Sequence, residues 1–218
     1  MVQRFNLTVD PERKRGDIDA VLELDGKKIN FELKSTTSDS VSTVRDFGPD
    51  HIAKWRDNLH WLFAFYKDDG VSLKYCVYAS PTDMEGWIGG KETYIAPDLK
   101  LADALPSSVD SSFVTSVLGA KASYTKADAQ LLMKKQWSAA QYRDNADLTG
   151  GLFSLQRMTE LMQARAQYVI LRGSTLNNPH IEAKFFDGFE HITAEHASRL
   201  RELVRGYLST LSSDSATA

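Results

Sequence analysis

The sequence predicts an α/β (α+β) domain whose strands come first and whose C-terminal half is helical. Residues 17–24 and 28–34 both alternate apolar and polar side chains, with Asp25-Gly26 between them. Trp61–Tyr66 and Leu73–Ala79 are short continuous apolar runs. From Tyr124 onward the apolar spacing becomes helical and Ser/Thr caps appear.

Each element has a local reason. QRFNLTV near the start reads as a strand. In 17–24, Ile18, Ala20, Leu22 and Leu24 share a face; in 28–34, Ile29, Phe31 and Leu33 do. Period two means a half-buried strand, and Asp-Gly is the strongest short hairpin signal, suited to a type I′ turn. A Ser/Thr-rich loop follows Lys34. Gly48-Pro49 then opens a helix over about 49–59, since proline suits a first turn. The two apolar runs fit strands buried on both faces. Residues 86–106, punctuated by Gly and Pro, are expected to be irregular. Thr125, with Asp128 three residues on, caps a helix over about 125–143. Ser154 begins another over 154–171, and Thr193 a third over 193–208. Residues 177–186 are a short strand or loop, and the tail 209–218 reads as disordered. The expected division is therefore 1–120 for the sheet core, 121–208 for the helical part, and the tail.

The 218 residues, 42% hydrophobic and 25% charged, suffice for a sizeable core. No apolar run approaches the roughly 18 residues of a membrane helix. No apolar block follows the basic residues of the N-terminus, so a signal peptide is not expected. Cys76 is the single cysteine. That excludes an internal disulfide, fits a reducing cytoplasm, and in an apolar run reads as a buried, inert thiol. Zinc spacings, a phosphate loop and a dinucleotide fingerprint are all absent from the sequence. The formal net charge of −3 gives no help to nucleic-acid binding, although a local basic surface can coexist with it.

The hairpin carries the most specific chemistry. A two-residue Asp25-Gly26 loop pairs Leu24 with Lys27, which sets Asp19 opposite Glu32 and Asp17 opposite Lys34. Directly opposed Cβ atoms lie roughly 4.5–5.5 Å apart, where two carboxylates repel unless a cation separates them. Mg²⁺ takes one or two carboxylates and leaves positions for water and phosphate oxygens. Lys34, two residues beyond Glu32, projects from the same face. There it can neutralise charge on a phosphate or help deprotonate an attacking water. Glu23 and Lys28 make an ordinary cross-strand pair in the same register.

The line GDIDAVLELDGKKINFELKS, with its Asp–Xaa(12)–Glu–Leu–Lys spacing, resembles the active-site hairpin of the PD-(D/E)XK nuclease superfamily. Its texture, with YTKADAQLLMKKQW and RGSTLNNPHI downstream, looks like type II restriction endonucleases. The resemblance implies a restriction-endonuclease-like core, a central mixed β-sheet flanked by helices. It carries over Asp19, Glu32 and Lys34 as catalytic residues, with Asp19 and Glu32 as Mg²⁺ ligands. Asp17 and Ser35 stand beside them as an alternative acid or outer support. Ile18 occupies the place of the family's proline. The family's sheet is usually supported by a helix ahead of the hairpin. Here sixteen residues precede Asp17, so that helix is absent or comes from later in the chain.

Further residues are candidates for DNA. Arg45, His51, Lys54 and Arg56 lie on or near the helix after the hairpin, as phosphate contacts or as a solvated face. Arg172, Asn177, Asn178 and His180 form a loop that can read base edges, because Asn pairs with adenine and Arg with guanine; Asn-Pro is equally a turn former. Lys134, Lys135, Arg157 and Arg165 read as solvated helix faces or phosphate contacts. The expected function is that of a type II restriction endonuclease: Mg²⁺-dependent hydrolysis of double-stranded DNA at a short sequence, by a cytoplasmic homodimer with a separate cognate methyltransferase. A structure-selective nuclease (junction resolvase or repair endonuclease) and a catalytically inactive DNA-binding module are the alternatives.

Overall fold

A computed structural model describes residues 1–14, 16–44, 47–134, 137–173 and 178–214. The protein is of the α+β class, built on a mixed four-stranded sheet in the order β1 (Ala20–Leu24), β2 (Lys27–Thr36), β4 (His60–Tyr66), β5 (Leu73–Ala79). β1 and β2 form the antiparallel hairpin in the expected register, Ala20 opposite Phe31 through to Leu24 opposite Lys27. Asp25 and Gly26 have φ of 50° and 77°, the positive pair that a type I′ turn needs. β4 runs parallel to β2, which requires a crossover; helix α2 (Pro49–Arg56) supplies it. A small second sheet pairs β3 (Val41–Ser42) with β6 (His180–Ile181).

The sheet is covered on both faces. On one, Leu22, Phe31, Leu62, Ala64 and Cys76 pack with Phe5 of α1 (Val2–Phe5) and with Leu200 and Val204 of α8 (His196–Asp214). The support expected ahead of the hairpin thus comes from the far end of the chain, with α1 contributing one short turn. On the other face, Trp61 and Phe63 of β4 meet Trp55 of α2, Trp87 of α3 (Pro81–Ala104) and Phe186. Burial of this many aromatic rings supplies a large part of the folding drive.

Four expectations need correction. QRFNLTV is not a strand: α1 ends at Asn6 in the left-handed conformation, φ 49°, and only Thr8 bridges to Val21. Residues 86–104 are helical, part of α3. Ser80 and Asp83 cap its start, with the Asp83 carboxylate accepting from Ser80 N at 2.7 Å. Buried Met84, Ile88, Ile95 and Ala102 recur at helical spacing, so packing outweighs the low propensity of Gly and Pro97. The helix over 125–143 is two: α5 (Lys126–Met133) closes with Lys134 left-handed, and Ser138 caps a new α6 (Ala139–Asn145). The last helix starts at His196 and runs through Asp214, well into the tail expected to be disordered. Its hydroxyls bond back to the previous turn, Ser209 to Arg205 O and Ser212 to Leu208 O.

The chain forms two compact units, residues 1–93 with 177–218 and residues 94–176. The second unit holds α4 (Ser111–Leu118), α5, α6 and α7 (Leu155–Gly173) around Val114, Tyr124, Leu132, Phe153, Met158 and Leu161. Among the described residues no helix is long and apolar enough to cross a membrane.

Two buried groups make the core testable. Burial pushes the Cys76 thiol up to about 11, so little thiolate exists at neutral pH. Cys76 is therefore expected to react with an aromatic disulfide reagent only as the protein unfolds; stoichiometric labelling of the native protein would contradict its placement. Burial lowers His60 from 6.5 to about 4, while its Nδ1 lies 2.8 Å from the Tyr78 hydroxyl. The unfolded chain binds this proton more readily, so the contribution is complete above pH 6.5 and is lost as pH falls toward 4. The expected loss is about 3 kcal/mol across that window. Urea melts of wild type and His60→Gln at several pH values check it: the variant should show the shallower pH dependence.

Candidate active site

The face of β2 opposite to the α8-packed residues carries Asn30, Glu32 and Lys34, and Asp19 lies just ahead of β1. β1 begins at Ala20, and just ahead of it Asp19 donates its N–H to Phe31 O at 3.2 Å. Asp19 thus lies one residue beyond the last pair of the ladder, Ala20 with Phe31. The Asp19 Oδ2 accepts from Leu33 N at 2.9 Å, and its Oδ1 lies 2.6 Å from the Arg13 guanidinium.

Glu32 is 3% exposed. Its Oε1 is 2.6 Å from Lys34 Nζ and its Oε2 2.8 Å from Lys54 Nζ. Burial works to raise its pKa, but the Lys34 charge and the hydrogen bonds from Lys34 and Lys54 outweigh that, leaving it below the ordinary value and ionised. Trp61, the neighbour of Glu32 on β4, walls this side with Trp55. Both rings are buried, which screens the ion cluster from solvent and strengthens it.

Asp17 does not face Lys34. The chain turns before β1, so the Asp17 carboxylate accepts from Lys14 N at 2.6 Å and its carbonyl accepts from Lys54 Nζ at 3.0 Å. Asp17 therefore shapes the turn and anchors Lys54. Ser35 is exposed on β2 beyond Lys34, opposite Ala64. A cleft of about 450 Å³ opens beside the acids, lined by Asp10, Arg13, Gly16, Asp17, Asn30 and Lys54. A larger one, about 650 Å³, is lined by Asp83, Asp187 and Glu190; acids there make it ill suited to a phosphate.

Of the residues considered for DNA, Lys54 joins the site. His51 serves its own helix, its Nδ1 accepting from Gly48 N at 3.2 Å. Arg56 pairs with Glu92 at 2.6 Å. His180 sits on β6 with its Nδ1 3.2 Å from Ser42 Oγ, and its carbonyl accepts from the Trp87 indole at 3.2 Å. Asn178 is exposed beside it. Trp87 is thus part of the aromatic wall, and Tyr94 is exposed. Arg172 belongs to the second unit, where its Nε donates to the Tyr168 hydroxyl at 3.2 Å. There too Arg157 pairs with Glu160 at 2.6 Å, and Arg165 lies over the Tyr168 ring. Arg45, Asn177 and Lys135 lie outside the described residues.

Sequence reasoning missed Arg13 as the partner of Asp19. The basic run ERKRGD just ahead of the acids was the available signal. It also missed that Lys54 reaches Glu32, a contact between residues on different elements.

Asp19 and Glu32 offer carboxylate oxygens only, the donors that a hard cation takes. Among the described residues no group of three or more His, Cys, Asp or Glu that could hold a metal ion is found; two carboxylates alone would leave most of a Mg²⁺ shell to water and substrate oxygens. The chain matches no family model and no curated protein.

Proposed function

We propose that this protein is a type II restriction endonuclease, hydrolysing phosphodiester bonds of double-stranded DNA at a short specific sequence with Mg²⁺. The observation that supports the reading is the Lys34 ammonium 2.6 Å from Glu32 on β2, with Asp19 held just ahead of β1 by Leu33 N–H. Asp19 and Glu32 are the residues that would hold Mg²⁺. When bound, Mg²⁺ supplies charge that polarises the phosphate and acidifies a water. Glu32 keeps the Lys34 ammonium at the sheet face, where it faces a scissile phosphate and steadies its developing charge. Leu33 N–H fixes the Asp19 carboxylate, so the acid is already oriented before substrate arrives. Trp61 and Trp55 keep water from the rear of the site, which strengthens each of these interactions.

Cleavage of both strands of a palindromic site suits a homodimer, because protein two-fold symmetry mirrors site symmetry. On this reading the protein works in the cytoplasm, and a separate methyltransferase protects the host's own sites. The test is digestion of unmethylated phage DNA by the purified protein with Mg²⁺ and with EDTA. Discrete fragments that require Mg²⁺ are expected. Intact DNA under every divalent metal and salt condition would reject the reading.

A further inference from the structure

The carboxylates of the hairpin are already neutralised by cationic side chains, two of them from outside it. Glu32 has two cationic partners of different kinds. Lys34 comes from its own strand and is held at the sheet face. Lys54 reaches in from α2 on a long stem, 2.8 Å from Glu32 Oε2, and its Nζ also donates to the Asp17 carbonyl at 3.0 Å. Arg13, from the loop ahead of β1, takes Asp19 Oδ1 in the same way. With Leu33 N–H on Asp19 Oδ2 and Lys34 on Glu32 Oε1, every carboxylate oxygen of the pair is engaged.

A divalent cation needs some of those oxygens. Two negative charges here face three positive ones, so adding a divalent ion with every ammonium and guanidinium in place would crowd like charges into a largely desolvated cluster. Leu33 N–H is fixed by the sheet, and Lys34 is on the same strand as Glu32, two residues on, and does not line the cleft. Lys54 is the group that can leave: its stem is flexible, and it borders the 450 Å³ cleft it shares with Arg13 and Asn30. A lysine released into that cleft is a point charge available to a phosphate.

We infer, on the basis of the metal-dependent nuclease reading, that Lys54 is a displaceable counter-ion. It holds Glu32 in the metal-free protein, yields it to the divalent cation, and transfers to a backbone phosphate of bound DNA. Metal and DNA then favour each other's binding, since each relieves a cost imposed on the other. Arg13 acts likewise on Asp19, but its side chain is 36% exposed against 19% for Lys54. Its grip is the weaker one.

The test is Mn²⁺ binding by the full chain, read from the loss of the free-ion electron paramagnetic resonance signal, with and without sheared phage DNA. Lys54→Met keeps the stem and removes the charge. Without DNA it should bind Mn²⁺ about tenfold more tightly than wild type, and the strengthening that DNA brings to wild type should shrink in the variant. If Lys54→Met does not fold, Lys54→Gln, which still reaches Glu32 with a neutral donor, carries the same expectation. A folded variant that binds Mn²⁺ no tighter than wild type overturns the displacement of Lys54 and leaves the metal site standing. If wild type and the Lys54 variant both bind no Mn²⁺, with or without DNA, the nuclease reading itself falls.

Discussion

Replacing Lys34 by alanine is expected to slow Mg²⁺-dependent DNA hydrolysis by about a thousandfold while the protein stays folded. The magnitude follows from what the side chain offers. A positioned proton-transfer group contributes about 10² to 10⁴ in rate, and one donor aimed at developing charge about 10² to 10³. Lys34 is poised for either role, 2.6 Å from a carboxylate that is itself 3% exposed. The fold should survive because Glu32 keeps Lys54 as a partner at 2.8 Å, so no buried charge is left alone. Single-turnover cleavage with circular dichroism on the same samples separates the two effects. A variant that cleaves within a few-fold of wild type would remove Lys34 from the chemistry.

Leu200→Ala is expected to destabilise the protein by about 2–5 kcal/mol, the usual cost of emptying a fully buried leucine site. Leu200 is 0% exposed, in one cluster with Leu22, Phe31, Leu62 and Val204. Against a total of about 5–15 kcal/mol for a typical protein, that is a large fraction. The effect reaches the candidate site through the sheet, because Phe31 lies between Asn30 and Glu32 and points the opposite way. Removing α8 altogether, by ending the chain before His196, should leave a protein that does not fold. Urea melts measure the first effect, and the circular dichroism of the truncated chain checks the second. A shift under about 0.5 kcal/mol for Leu200→Ala would mean that α8 is not the support of this sheet.

Local patterns carried far in this sequence, and their failures share a cause. Alternation in 17–34 and Asp25-Gly26 were enough to set the register, because period two and turn length leave one pairing that buries Leu22, Ile29 and Phe31 together. The same rule puts Asp19 one step beyond Ala20, where the pairing with β2 ends. It failed at Asp17, where the chain has left the ladder for a turn closed by Lys14 N. Alternation cannot signal where pairing ends. α3 was hidden because Gly86, Gly89, Gly90 and Pro97 read as breakers, although the spacing of Met84, Ile88, Ile95 and Ala102 was visible. The support from α8 and the reach of Lys54 to Glu32 join parts distant along the chain. No local pattern encodes those contacts; they arise only when the distant elements pack together. Arg13 stood next to the acids in sequence, yet whether a basic residue faces an acid or water depends on the turn between them.

The central claim is that Asp19, Glu32 and Lys34 form one metal-dependent hydrolytic site. Asp19→Asn tests it most directly, since it preserves shape and a hydrogen-bonding oxygen while removing the charge a divalent cation needs. The measurement is the single-turnover rate on unmethylated phage DNA across a Mg²⁺ series, with DNA binding followed in parallel. The account predicts discrete Mg²⁺-dependent fragments from wild type and no detectable cleavage by Asp19→Asn at any Mg²⁺ concentration, with DNA still bound. Cleavage by Asp19→Asn at a rate near wild type would contradict it and place the chemistry away from this hairpin.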